Sequence, residues 1–152
     1  MKRIAWTLAA AALVLMPVKA SAVLELDMGF DPAEVCPGEQ VQFFFLLENV
    51  GGEEESVTLS VEFSFDEMTW GPFEGTFDLA AGEAISKELP FNVPPPMPAG
   101  MLTITTTATD SAGPVTAVAE LEILDCGGPG KAMSPNAMIG QLRKQFGELG
   151  VR

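Results

Sequence analysis

From Leu24 onward, apolar and polar residues alternate with a period of two, in short runs separated by Gly, Pro, Asp and Asn. That period places successive side chains on opposite faces of a β-strand. Leu24, Leu26 and Met28 alternate with Glu25 and Asp27 up to Asp31-Pro32. Val41, Phe43, Phe45 and Leu47 form a second inward face, closed by Asn49-Val50-Gly51-Gly52. Val57, Leu59, Val61, Phe63 and Phe65 alternate with Thr58, Ser60, Glu62 and Ser64. A weaker run spans Phe73–Leu79 and stops at Ala80-Ala81-Gly82. Ile85, Leu89, Phe91 and Val93 precede a Pro94-Pro95-Pro96 segment. Leu102, Ile104, Thr106 and Ala108 make a sixth run, and Val115, Ala117, Ala119, Leu121 and Ile123 a seventh. Seven strands over about 100 residues predict an all-β fold, a seven-strand immunoglobulin-like β-sandwich.

Two positions break the alternation. Lys87 falls on the inward register of the fifth strand, which predicts a bulge or an edge location. Phe44 and Leu46 fall on the face opposite Phe43 and Phe45. Either neighbouring side chains cover them, or they form a partner-binding surface.

The two ends of the chain follow other rules. Lys2 and Arg3, an apolar run from Ile4 to Val18, and Ala20-Ser21-Ala22 together read as a secretory signal peptide over residues 1–22. The run is short for a membrane span, and no later stretch is long enough to cross one. The mature chain is expected to start at Val23 and to be exported, to the periplasm or beyond the cell. Residues 23–126 then form the sandwich, 127–133 a Gly/Pro-rich linker and 134–152 a basic amphipathic tail. In the tail, Ser134-Pro135 reads as a helix N-cap followed by Pro at the first helical position. Met138, Leu142, Phe146 and Leu149 recur at helical spacing, with Arg143 and Lys144 expected on the other side. Gly140 and Gly147 weaken a helix that is already short for stability in water. The tail is therefore either a short C-terminal helix or a disordered end. As a helix it could fold back on the sandwich, enter a partner's groove or lie on an anionic membrane surface.

Charge changes once the signal peptide is set aside. The 152 residues carry 21 acids and 8 bases, a net charge of −13. Three bases (Lys2, Arg3, Lys19) leave with the signal peptide and no acid does. Between Val23 and Gly130, Lys87 is the sole base against 20 acids, whereas the tail beyond is net positive. An acidic body of this kind excludes nucleic acid as an expected partner, because phosphate recognition needs clustered Lys and Arg. With no His, there is no imidazole for acid–base work or metal ligation. No nucleophile–base pair can be assembled, so an enzyme is not expected, nor is a cofactor. The two cysteines of an exported domain are expected to pair as a disulfide, Cys36–Cys126. Such a bridge fits a sandwich in which the second half of the first strand runs parallel to the last.

The turn chemistry carries a resemblance. Pro37-Gly38-Glu39-Gln40-Val41, Leu47-Glu48-Asn49-Val50-Gly51, Leu79-Ala80-Ala81-Gly82-Glu83, Phe91-Asn92-Val93-Pro94 and Ala99-Gly100-Met101 together resemble bacterial immunoglobulin-like modules of the CARDB and NEW3 types. The resemblance covers roughly Leu24 to Leu124. It implies a β-sandwich and a non-catalytic accessory role in exported bacterial proteins. This chain differs in standing alone, with a disulfide and a basic tail.

Several residue groups are candidate sites. Glu48, Glu53, Glu54 and Glu55 are expected to share a pole with Asp110; they are either a solvated charge run or weak Ca²⁺ ligands, since Ca²⁺ takes six to eight oxygens. Trp70 and Phe73 lie in a Gly/Pro-rich stretch, either capping the core or stacking on a carbohydrate. The scattered Met97, Met101, Met133 and Met138 read as packing rather than copper ligation. Three functions compete: protein contact or adhesion at the cell envelope, carbohydrate binding, and a structural subunit of a surface assembly. For protein contact, Phe44, Leu46, Met138, Leu142, Phe146 and Leu149 are the candidate residues.

Overall fold

A computed structural model describes residues 23–95, 97–127, 135–148 and 150–151. The expected signal peptide, most of the linker and Leu149 lie outside the described residues. The strands are β1 (Leu24–Asp31), β2 (Glu34–Val35), β3 (Gln40–Asn49), β4 (Glu55–Phe65), β5 (Met68–Leu79), β6 (Ala84–Asn92), β7 (Gly100–Asp110) and β8 (Gly113–Ile123), followed by helix α1 (Pro135–Gly147). They form two sheets, one ordered β1-β3-β6 and one ordered β2-β8-β7-β4-β5. The all-β sandwich is present, with eight strands rather than the seven expected.

The additional strand is β2. After β1 ends on sheet one, the chain crosses to the other sheet, where Glu34 and Val35 pair parallel with Glu122 and Ile123 of β8. Two residues set between Pro32 and Pro37 carry no periodicity, so alternation could not reveal them. The crossing brings Cys36 to the end of β8, where it is bonded to Cys126. The bridge thus joins the turn after β2 to the exit of the last strand.

The inward residues of both sheets make one core. Phe43, Phe45, Val57, Leu59, Phe63, Leu102, Ile104 and Leu121 are almost wholly removed from water. Burying each such side chain contributes about 1.5–3 kcal/mol. Lys87 sits opposite Phe45 on β6, exposed on the edge strand of its sheet. The edge location is the answer there, and the pairing with β3 runs without a bulge.

Two turns share one construction. In Cys36-Pro37-Gly38-Glu39 and in Ala80-Ala81-Gly82-Glu83, the fourth residue's N–H donates to the first residue's carbonyl. Its Glu carboxylate accepts from the first residue's N–H at 2.9 and 2.8 Å. The glycines have φ of +93° and +73°, which a side chain at the third position would resist. Asn49 joins the second turn to the β3–β4 connection. Its amide donates to the carbonyls of Glu53 and Leu79, and its Oδ1 accepts from Gly51 N–H. Four of the five motifs that carry the resemblance are thus bonded in two pairs, the second turn to Asn49 and the first turn to Val93.

Candidate functional site

Three strands face five, so the smaller sheet leaves part of the larger one uncovered. The contacts of α1 run along β5 in chain order. Asn136 Oδ1 accepts from the Trp70 indole N–H at 2.7 Å, and Arg143 lies 4.5 Å over the Phe73 ring. Phe146 reaches deeper, with its ring 5.4 Å from both Phe43 and Phe63. Beyond the helix, the backbone of Gly150 crosses Gly75, at a closeness that a Cβ there would block. Ile139, Leu142, Phe146 and Val151 are buried in the same core as the strands. Pro135–Gly147 of the tail therefore form a helix, and it packs against its own sandwich.

A bulge makes this docking site. Val61 faces Phe73 and Phe63 faces Trp70, so Gly71 and Pro72 together oppose the single Glu62. The extra residue brings Trp70 and Phe73 to the same, inward face, which strict alternation would deny them. Gly71 has φ +112°, and a Cβ there would lie 2.9 Å from the Val61 carbonyl. The stretch expected to be a connection is thus the first half of β5. The Gly and Pro that read as loop punctuation mark a bulge within a strand.

The candidate residues separate accordingly. Trp70 and Phe73 are half-buried, their polar edge and ring face occupied by Asn136 and Arg143. Neither ring is presented to a sugar while α1 is docked. Leu142 and Phe146, expected on a partner-binding face, point into the core instead, because their own sandwich supplies the apolar groove. Met138 lies in α1, but its side chain and Leu149 fall outside the described residues. Arg143, expected to face away, stacks on Phe73. Its long stem lets an exposed residue return a charged head to a ring.

The acidic candidates meet only in part. Ser111, beside Asp110, donates to Glu55 Oε2 at 2.7 Å, which places the β4 entrance and the β7–β8 turn at one pole. Among the described residues, however, no three Asp, Glu, Cys or His side chains converge to hold a metal ion. The Ca²⁺ candidate set Glu48, Glu53, Glu54, Glu55 and Asp110 is therefore not brought together: Glu48 lies on the outer face of β3, paired with Glu25.

Phe44 and Leu46 lie on the outer face of the smaller sheet. Phe44 remains 37% exposed, and its ring covers Gly29 on β1, where an added Cβ would meet it at 2.6 Å. Leu46 borders an open groove beside the free edge of β1, lined also by Leu24, Glu25, Leu26, Asp27 and Val115. Registers with β1 and β6 place Glu25, Asp27, Glu48 and Glu88 on this same face. An apolar pair thus sits within a ring of carboxylates. No helix among the described residues is long and apolar enough to cross a membrane.

No protein-family profile matches the chain, and no curated protein matches it. Among solved structures it is similar to an alkylpurine DNA glycosylase from Pseudomonas fluorescens, solved bound to DNA, at 14% identity and TM-score 0.49. That match covers 68% of this chain and 31% of the glycosylase, so the chain spans under a third of its length. It is similar to the sporulation control protein Spo0M from Bacillus subtilis at 16% identity and TM-score 0.41, covering 87% of this chain and 58% of that one. It is also similar to the CARDB domain of the PF1109 protein from Pyrococcus furiosus, at 15% identity and TM-score 0.41, covering 66% of this chain and 87% of that domain.

Proposed function

We propose that the chain from Val23 onward is an exported, non-catalytic immunoglobulin-like module that contacts a protein partner at the bacterial cell envelope. The carrying observation is the outer face of the β1-β3-β6 sheet, where the exposed Phe44 and its neighbour Leu46 are framed by Glu25, Asp27, Glu48 and Glu88. An apolar centre with a charged rim is the ordinary anatomy of a protein interface. Its sign selects a partner with a basic rim around an apolar patch, and not a nucleic acid or an anionic membrane. The aromatic pair Trp70 and Phe73 supports carbohydrate binding less well, because the tail helix occupies both rings.

The experiment is photo-crosslinking from position 46 in the native envelope. The expected result is a discrete crosslinked protein, abolished by Phe44→Asp and weakened by the double charge reversal Glu25→Lys/Asp27→Lys. Crosslinking that survives both variants, or none at all, overturns this surface as the site of contact.

A further inference from the structure

Two buried side-chain oxygens lack a hydrogen-bond partner among the described residues, Thr106 Oγ1 and Asp110 Oδ2. A lone core hydroxyl costs little beside a lone carboxylate oxygen, whose charge needs a donor once water is removed. Asp110 already uses Oδ1 to accept from the N–H groups of Ala112 and Gly113, at 2.8 and 3.1 Å. That fixes the carboxylate in the β7–β8 turn and leaves Oδ2 turned inward. Asp110 and Val23 both line a cavity of about 40 Å³, which Leu24, Ala112, Gly113, Pro114 and Val115 complete.

Val23 is the residue that signal-peptide cleavage after Ala22 turns into a chain terminus. We propose that this cleavage supplies the missing partner: the new α-ammonium of Val23 pairs with Asp110 and pins the start of β1 to the β7–β8 turn. The inference rests on the export reading above. Before cleavage the nitrogen of Val23 is a neutral amide; afterwards it carries a charge and three donors. Side-chain cations are scarce in this domain. Lys87 is the sole base between Val23 and Gly130, and it stands on the β6 edge, across the β1-β3-β6 sheet from β1. Val23 is itself held in place, since its carbonyl accepts from Val50 N–H at 2.8 Å. The mature fold therefore differs from the precursor by an ion pair that locks one pole, made by processing alone.

Four proteins test this: the chain released from a fusion to begin at Val23, with the terminal amine free or acetylated, each with Asp110 or Asp110→Asn. Asn keeps the Oδ1 acceptor for the turn, so both backgrounds are expected to fold. Acetylation is expected to lower the thermal midpoint by about 4 °C or more in the Asp110 protein and to have no effect in Asp110→Asn. An equal drop in both backgrounds means the amine acts elsewhere, and no drop in either means a water fills the cavity; each result overturns the lock. The mass of the protein recovered from the producing cell separately shows whether cleavage falls after Ala22. The export reading can thus fail while the lock stands, or the reverse.

Discussion

Asn49 is fully buried, yet its side chain meets two carbonyls and one N–H from two segments, the β3–β4 connection and the end of β5. Asn49→Ala removes those partners and leaves the buried Leu79 carbonyl without this donor. The expected loss is about 2–4 kcal/mol, read as a lower urea midpoint with an unchanged slope. Glu39 and Glu83 make comparable bonds in exposed turns, where water replaces a lost acceptor. Their Ala variants are expected to cost under about 1.5 kcal/mol. The sequence marked Asn49 as part of an N-x-G turn. It could not show that the same amide bonds Leu79 thirty residues on, because that contact depends on how β3 and β5 stack in different sheets. Likewise the spacing exposed Phe44 as an outward aromatic, while the glycine it covers on β1 followed only from the strand register.

At the scale of elements, α1 replaces the strand that the smaller sheet lacks. Apolar burial fixes it: Phe146 touches both sheets through Phe43 and Phe63, while the bonds to Trp70 and Phe73 orient it. Phe146→Ala is expected to destabilise the domain by about 3–5 kcal/mol, since the cavity opens between two sheets. In a chain that begins at Val23, Trp70 is the sole tryptophan and reports docking directly. Its emission is expected to move to longer wavelength in Phe146→Ala, and a spectrum that stayed put would mean that the helix does not cover Trp70 in solution. Asn136→Ala removes the indole bond alone and is expected to shift emission without a large loss of stability. The helical spacing of Leu142 and Phe146 was legible in the chain, as were most of the strands, because each buries a regular stripe. The target of that stripe was not legible. It is created by the bulge at Gly71-Pro72, where a sequence pattern for a loop is a strand held open by one extra residue.

Over the whole molecule, two long-range terms act on a fold whose local pieces are ordinary. The disulfide closes 90 residues, and Cys36→Ser with Cys126→Ser is expected to cost about 2–5 kcal/mol, seen as a lowered thermal midpoint. The second term is charge. The domain concentrates 20 carboxylates against Lys87, and the sheet registers set like charges opposite each other, as with Glu25 and Glu48 on β1 and β3. Same-sign pairs at such spacing are destabilising and lie in water, where salt screens them. The helix acts differently. Its hold on the sandwich is mainly apolar, with Arg143 on a ring rather than on a carboxylate, so salt should scarcely weaken it. The two terms therefore do not cancel. The thermal midpoint of a chain beginning at Val23 is expected to rise as ionic strength goes from about 0.01 M to about 0.15 M, the interval over which the Debye length falls from about 30 Å to about 8 Å. The rise should persist in Phe146→Ala, because the repulsion resides in the sheets. A midpoint that fell with salt would show instead that attraction between the acidic body and the basic tail dominates, and that the helix is held by charge.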